Sequence, residues 1–360
     1  MTYGSTEPRK AAGLTVGLDV SDTYTSLCVV DEEGNMIEEG RVRTTTPALE
    51  RRFSALPPCR MVLEVGTHSP WMSRLLAGFG HQVIVANPRQ VRLIAESDRK
   101  RDRTDAELLA RLGRVDPALL RPIRHRSAEA QQDLALLRAR DTLVRVRTQL
   151  ISHVRGAVKA TGGRLPACSA TSFHRKAGPH LPAPLHPALQ PLLATIADLT
   201  ARIRDHDRLV EQALGERYPA ARLLRQVPGV GPLTAMTFLL VIEDPGRFRK
   251  SREVGPYLGL VPRQRQSGER EPQLPITKAG DPLLRRLLVQ SAHYTLGPFG
   301  PESELRRWGL GLAGAGSSRA KRRAVIAVAR KLAVLLHRLW VTGEVYEPLL
   351  GERAMQARAG

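Results

Sequence analysis

Leu14-Thr-Val-Gly-Leu-Asp19-Val20 is a short apolar run with a single acid inside it, and how this run is read decides the fold. A second run, Thr25-Ser-Leu-Cys-Val-Val30, follows closely. Asp31-Glu-Glu-Gly34-Asn then reads as a turn and Met36–Arg43 as a third strand. Met61-Val-Leu-Glu64-Val65 and Gln82-Val-Ile-Val-Ala86 supply a fourth and a fifth. Helical patterns fill the gaps near Ala48–Ala55 and Pro70–Gly78. Periodicity in such short runs supports α/β and no more.

The order of the elements says more. Three strands joined by tight turns, then strands alternating with helices, is the order of a ribonuclease-H-like layered α/β domain, assigned to residues 13–125 after a tail through Ala12. From Ser127 the pattern turns helical. Leu134, Leu137, Leu143, Val146, Leu150, Val154 and Val158 form one apolar stripe, ended by Gly162-Gly163. Leu189, Leu192, Ile196, Leu199, Ile203 and Leu209 form another. Two long amphipathic helices predict an antiparallel coiled-coil linker over 126–217. Within it, the Pro-, His- and Gly-rich stretch 163–187 reads as a loop or flexible insertion. A third, mainly helical domain spans 218–343, with helices expected at Leu283–Tyr294 and Arg319–Leu339.

The 360 residues carry 55 Lys and Arg against 35 Asp and Glu, a formal charge of +20. Such a field has polyphosphate as its commonest partner, which favours nucleic acid over an acidic membrane surface. The run Ala324–Val341 is interrupted by Arg330, Lys331, His337 and Arg338, so it predicts a buried amphipathic helix and not a membrane span. Three scattered cysteines, Cys28, Cys59 and Cys168, fit a reducing cytoplasm. The ten histidines show no zinc spacing.

Asp19 and Glu64 each interrupt an apolar strand, where a charge is costly unless something neutralises it. Two acids on neighbouring strands repel, unless a cation lies between them. Asp102 and Asp105, in Lys100-Arg-Asp102-Arg103-Thr-Asp105-Ala-Glu107, stand three apart and share one helix face. Such a cluster suits Mg²⁺, or Mn²⁺ in its place, and two ions so held activate a nucleophile and stabilise the leaving oxygen of a phosphodiester. Lys100, Arg101 and Arg103 would meet the substrate's phosphates. Taken singly, each acid reads more often as a strand end or a solvated helix start, and Glu107 most of all.

In order along the chain, these pieces resemble the DEDD-type transposases of the IS110 class of bacterial insertion sequences. The matching motifs are Gly17-Leu-Asp19-Val-Ser, Leu63-Glu64-Val-Gly66, Asn87-Pro88 with Val91-Arg, and Lys100-x-Asp102-x-x-Asp105-Ala-x-Leu-Leu-Ala. Pro228-Gly-Val-Gly231-Pro, Tyr257-Leu-Gly-Leu-Val-Pro262, Gln266-Ser267-Gly268 and Ile276-Thr-Lys278-Ala-Gly280 follow. The resemblance implies a RuvC-like N-terminal domain whose tetrad, here Asp19, Glu64, Asp102 and Asp105, binds Mg²⁺. It further implies a coiled-coil linker and a C-terminal transposase domain whose serine forms a covalent phosphoserine with DNA. Homo-oligomers, dimers or tetramers, with composite active sites are implied too. So are double-stranded DNA at element ends and target, a structured guide (bridge) RNA in some members, and a place at the nucleoid.

At the family position the nucleophile is Ser267, beside Arg265; a Ser-Gly pair by itself reads as a turn. Ser251 and Ser291 are alternatives. Pro228-Gly229-Val-Gly231-Pro232 resembles a helix–hairpin–helix whose glycines let backbone N–H groups approach a phosphate, or else a plain corner. Lys278, Arg285, Arg286 and the Arg319–Arg323 cluster read as solvated faces adding electrostatic affinity. A Holliday-junction-type endonuclease using water as nucleophile, a non-catalytic nucleic-acid-binding protein and, last, an actin-like sugar kinase are the competing readings.

Overall fold

The computed structural model describes residues 13–87, 102–264, 274–314 and 316–349, and the chain divides into two units, 1–126 and 127–360. The tail through Ala12, the Pro88 and Val91 motif, Lys100, Arg101, Arg265 and Ser267 lie outside the described residues.

In the first unit, β1 (Thr15–Val20), β2 (Tyr24–Val30), β3 (Met36–Arg43), β4 (Arg60–Glu64) and β5 (Gln82–Ala86) form one sheet in the order β3-β2-β1-β4-β5. The first three strands are antiparallel neighbours, and β4 and β5 run parallel to β1. Helices α1 (Thr46–Phe53) and α2 (Ser69–Gly78) provide the crossovers, and α3 (Asp102–Val115) follows β5. Alternation sorts the two faces, because successive strand side chains point oppositely. Val16, Leu18, Leu27, Val29, Met61 and Leu63 pack with Leu49 and Phe53 of α1 and Met72 and Leu76 of α2. Their neighbours Cys28, Val30, Val62 and Ile84 pack on the other face against Ala106, Leu109 and Ala110 of α3. Both faces are therefore covered, which is why β1 and β4 read as near-continuous apolar runs.

Burial also silences two thiols. Cys28 and Cys59 are 0 % and 1 % exposed, and burial pushes the Cys59 thiol up to about 11. Cys168 is half-exposed. Thiol titration of the native protein at neutral pH is expected to label Cys168 alone, with Cys28 and Cys59 following only on unfolding.

The second unit opens with α4 (Ala128–Ala160), which returns along α6 (His186–Arg217). The pairs Asp133–Arg217, Arg140–Asp207 and Arg147–Thr200 show that the two run antiparallel. Leu134, Leu137, Val154 and Val158 of α4 and Leu189, Ile196, Leu199 and Ile203 of α6 are buried as the stripes predict, and the seam departs from them only in places. Leu193 and Val210 are buried at 6 % and 1 %, one residue along from Leu192 and Leu209, and Leu209 is 48 % exposed. Midway along α4 it is Arg147 that is buried, at 7 %, while the neighbouring Val146 is 38 % exposed. A stripe containing a six-residue step cannot stay on one face of a helix with 3.6 residues per turn, so the contact shifts to the adjacent position.

The stretch 163–187 is no flexible insertion. It carries α5 (Phe173–Ala177), whose Phe173 is fully buried with Val154, Val158, Leu189 and Ile196, so it caps the far end of the helix pair. The Arg155 guanidinium sits 4.9 Å from the Phe173 ring centroid and donates to the Leu165 and Pro166 carbonyls. Proline and glycine punctuate this stretch, but a handful of apolar side chains suffice to hold it down.

The rest of the unit is α7 (Ala221–Leu224), α8 (Pro232–Ile242), α9 (Val254–Tyr257), α10 (Pro282–Leu296), α11 (Glu304–Ala313) and α12 (Ser318–Thr342). α8 is buried on all sides from Thr234 to Ile242 and forms the core on which α10 and α12 pack. α11 was not expected; Gly309 and Gly311 interrupt its helical pattern, yet Gly309 lets Val328 and Leu296 pack close. Among the described residues no helix is long and apolar enough to cross a membrane.

Candidate functional site

Asp19 and Glu64 end up side by side. The parallel register runs Gly17↔Val62 and Leu18↔Leu63, so one step further sets Asp19 level with Glu64, on strands about 4.8 Å apart. By the same alternation both belong to the face covered by α3. The sequence reading had them buried; both are half-buried, at the rim where the strands end.

α3 lies across this face in the opposite sense. A Cβ on Gly17 would stand 2.0 Å from the Ala106 carbonyl oxygen and 2.5 Å from the Ala110 nitrogen, so only glycine lets the helix cross here. At the other end of the face Arg60 donates to the Gly113 carbonyl (2.7 Å), and Arg111 and Arg114 donate to Gly34 and Glu32 in the β2–β3 turn. From the Gly17–Ala106 crossing, two residues along β1 reach Asp19, a distance of about 6.6 Å. Moving the same way along α3 passes Asp105 and reaches Asp102, about 6 Å from Ala106. Asp105 is half-buried; the side chains of Asp102 and Arg103 lie outside the described set. Glu107 pairs with Arg111 at 2.8 Å, a surface i,i+4 contact.

Oxygen donors are what a hard divalent cation takes, and the acids present match that chemistry. Among the described residues, though, no three His, Cys, Asp or Glu side chains stand as a set that could hold an ion.

The loops that follow these two acids are tied down by the side chains around them. The Trp71 indole donates to His68 Nδ1 (3.1 Å), so the proton sits on Nε2, which donates to Asp22 at 2.9 Å. This joins the loop after Asp19 to the loop after Glu64. Ser69 Oγ donates to the Gly66 carbonyl (2.8 Å) and therefore accepts from His125 Nε2 at 2.8 Å. Burial, with Arg74 and Arg126 close by, holds His125 below the usual imidazole range, which keeps it neutral for that bond.

In the second unit, two predicted motifs prove to be halves of one structure. Gly259, at φ +68°, backs onto Ala279, and a Cβ on it would stand 2.3 Å from the Ala279 nitrogen. Gly280 backs onto Tyr257 in the same way, at 2.4 Å from its carbonyl oxygen. The Pro262↔Ile276 bridge and the Arg263 N–H on the Pro275 carbonyl (2.9 Å) close the base from which the chain departs toward Ser267. Lys278 is exposed at this base. Arg285 is not a solvated face: it donates to the Leu258 and Gly280 carbonyls at 3.1 and 3.0 Å, locking the two halves together. Arg286 is taken up by Asp141 at 2.5 Å.

Of the alternative serines, Ser291 is 3 % exposed, and Ser251 stands 3.0 Å from Nδ1 of the buried His337. His337 Nε2 donates to the Pro245 carbonyl (3.0 Å), so Nδ1 accepts from Ser251 and the pair staples the 245–253 turns to α12.

The Pro228–Pro232 turn enters α8, with Gly231 as N-cap and Pro232 in the first turn. The adjoining cleft, about 380 Å³, is also lined by Asp207 and Glu211, which pair with Arg140 and Arg225. A phosphate arriving there meets two carboxylates as well as a helix N-terminus. The two glycines differ. Gly229 has φ +87° and would set a Cβ 2.8 Å from the Tyr294 ring, whereas nothing lies within 4 Å of a Cβ on Gly231. Gly229→Ala is expected to cost about 2 kcal/mol in urea unfolding, and Gly231→Ala less than about 1 kcal/mol.

Comparison with known proteins gives this geometry its setting. A family model described as transposase, of the DEDD IS110 type, matches residues 16–162, and one described as transposase IS116/IS110/IS902 family matches 221–304. The transposase for insertion sequence element IS1328 of Yersinia enterocolitica is 30 % identical over 77 % of this chain and 82 % of its own. The transposase for IS1111A of Coxiella burnetii is 28 % identical over 92 % and 90 %, and a probable family 20 transposase of Pseudomonas aeruginosa 29 % over 92 % and 98 %. The chain belongs to the IS110/IS116/IS902 family of transposases.

Proposed function

We propose that this protein is a DNA transposase that cleaves and rejoins strands through a serine ester, with the acids of the first unit holding Mg²⁺ or Mn²⁺. The observation that carries the reading is the convergence of Asp19, Glu64 and the start of α3 on one rim of one sheet face. The strand order β3-β2-β1-β4-β5, with three antiparallel strands and then two parallel ones, supports a RuvC-like, ribonuclease-H-type domain. Asp19, Glu64, Asp102 and Asp105 would hold the cation, which when bound supplies charge neutralisation at the scissile phosphate.

In the strand-breaking step Ser267 Oγ forms the bond to phosphorus. The deoxyribose oxygen leaves with a proton, and the phosphate stays on the serine until a second strand's hydroxyl displaces it. Lys100, Arg101, Arg103, Arg265 and Lys278, with the backbone at Gly229 and Gly231, would neutralise or touch phosphates. The linker of α4 and α6 would join copies into a dimer or tetramer, and a structured guide RNA would select the DNA; nucleoid association follows from DNA binding.

The test is a covalent adduct. Wild-type protein with end-labelled duplex carrying the element ends, denatured after incubation with Mg²⁺, is expected to retain label on the polypeptide, and Ser267→Ala to lose it. Cleavage without any protein-linked DNA would instead make the protein a hydrolytic endonuclease.

A further inference from the structure

A groove of about 930 Å³ opens in the second unit between Pro262, Ile276, α11 and α12. One wall is Arg319, Arg322, Arg323, Arg330 and Lys331 of α12, at spacings that keep them on one side of the helix. Leu260, Ile326 and Val334 make the floor apolar. Among the described residues no carboxylate lines it, and none of the five cations ion-pairs with a described acid, whereas Arg217, Arg225 and Arg286 of the same unit do. Trp308 of α11 is 39 % exposed in the groove, with the Lys331 ammonium 4.3 Å from its ring centroid.

A row of cations with no acid partner among the described residues calls for a polyanion. A duplex would present phosphate and sugar to the whole surface and leave the apolar floor and the indole unused. An unpaired strand uses both: its phosphates follow the cations while its bases turn toward aromatic and apolar side chains. From this combination we infer that the groove binds single-stranded DNA, its backbone along α12 and its bases toward Trp308. The inference rests on the transposase reading only for the choice of DNA; it needs neither the acids nor Ser267.

The test is fluorescence anisotropy of full-length protein in EDTA, with labelled oligothymidylate, a blunt duplex of equal length and oligouridylate. Wild type is expected to bind oligothymidylate most tightly of the three. Arg322→Ala/Arg323→Ala should weaken it about tenfold and lower the slope of log K against log salt by roughly 1.4. Trp308→Ala should weaken it about five- to hundredfold with the slope unchanged, and Trp308→Phe should restore most of the loss. Thermal melts accompany each variant, Arg322 and Arg323 being exposed and Trp308→Phe conserving the ring.

Duplex binding falling in parallel would reduce the groove to a general electrostatic field and overturn the inference. Unchanged oligothymidylate binding would overturn it too, as would oligouridylate binding as tight or tighter. Because no metal is present, these results stand whether or not the protein cleaves DNA, so failure of the serine mechanism is read separately.

Discussion

Asp19→Asn is expected to lower single-turnover DNA cleavage about a thousandfold or more, without loss of fold. The amide keeps the shape and one oxygen but removes a full charge from the set that would hold the cation. Losing about 4 kcal/mol of charge stabilisation at the phosphate corresponds to that factor. Asn is isosteric with Asp, so the amide fits the same place at the end of β1, and a retained unfolding midpoint separates loss of cleavage from loss of structure. The second readout is the midpoint with and without Mg²⁺: wild type should rise with added Mg²⁺, and Asp19→Asn should not. Full cleavage activity in the variant would remove Asp19 from the site.

Gly17→Val should have the opposite signature, a collapse of the first unit. Even the Cβ alone would meet the Ala106 carbonyl oxygen at 2.0 Å and the Ala110 nitrogen at 2.5 Å, and both are backbone that no rotamer change can move. Helix α3 would have to lift from the sheet, breaking its contacts with Cys28, Val30 and Val62. A cost of about 3 kcal/mol or more is expected, a large part of the stability of a typical domain. Gly40→Val in β3 is the control, since nothing lies within 4 Å of its Cβ. Urea unfolding followed by near-ultraviolet circular dichroism separates the two. A Gly17→Val protein as stable as wild type would mean that α3 does not cross where it is described.

Much of the first unit was legible from local pattern. Four of the five strands are short and apolar, and β3, polar and mostly exposed, is marked by the turn before it, so each position follows from local residues to within one or two places. The face of each side chain follows from period-two alternation. What alternation could not say is which strands are neighbours. Asp19 and Glu64 are 45 positions apart, and only the pairing of β1 with β4 in their observed register brings them level. Gly17 shows the same limit: in the sequence it is one glycine in an apolar run, and its necessity appears only when α3 lies on it.

The helical unit divides along similar lines. The existence of the long helices was readable from amphipathic stripes, whereas that of α5 and α11 was not. Much of the seam was readable too, but Leu192 versus Leu193, and Leu209 versus Val210, depend on how two helices are rotated against each other. The packing of 163–187 under Phe173, and the locking of Tyr257–Pro262 against Ile276–Gly280 by Arg285, were likewise beyond a local reading.

The sequence by itself determined most of the elements, the α/β-then-helical order, the basic character and, through its ordered motifs, the family. Tertiary structure alone decided which acids share a rim, which glycines are indispensable and which arginines are spoken for. Hydrophobic period and turn chemistry act over a few residues, whereas a site is made of distances between residues remote in the chain, which exist only once strands pair and helices dock.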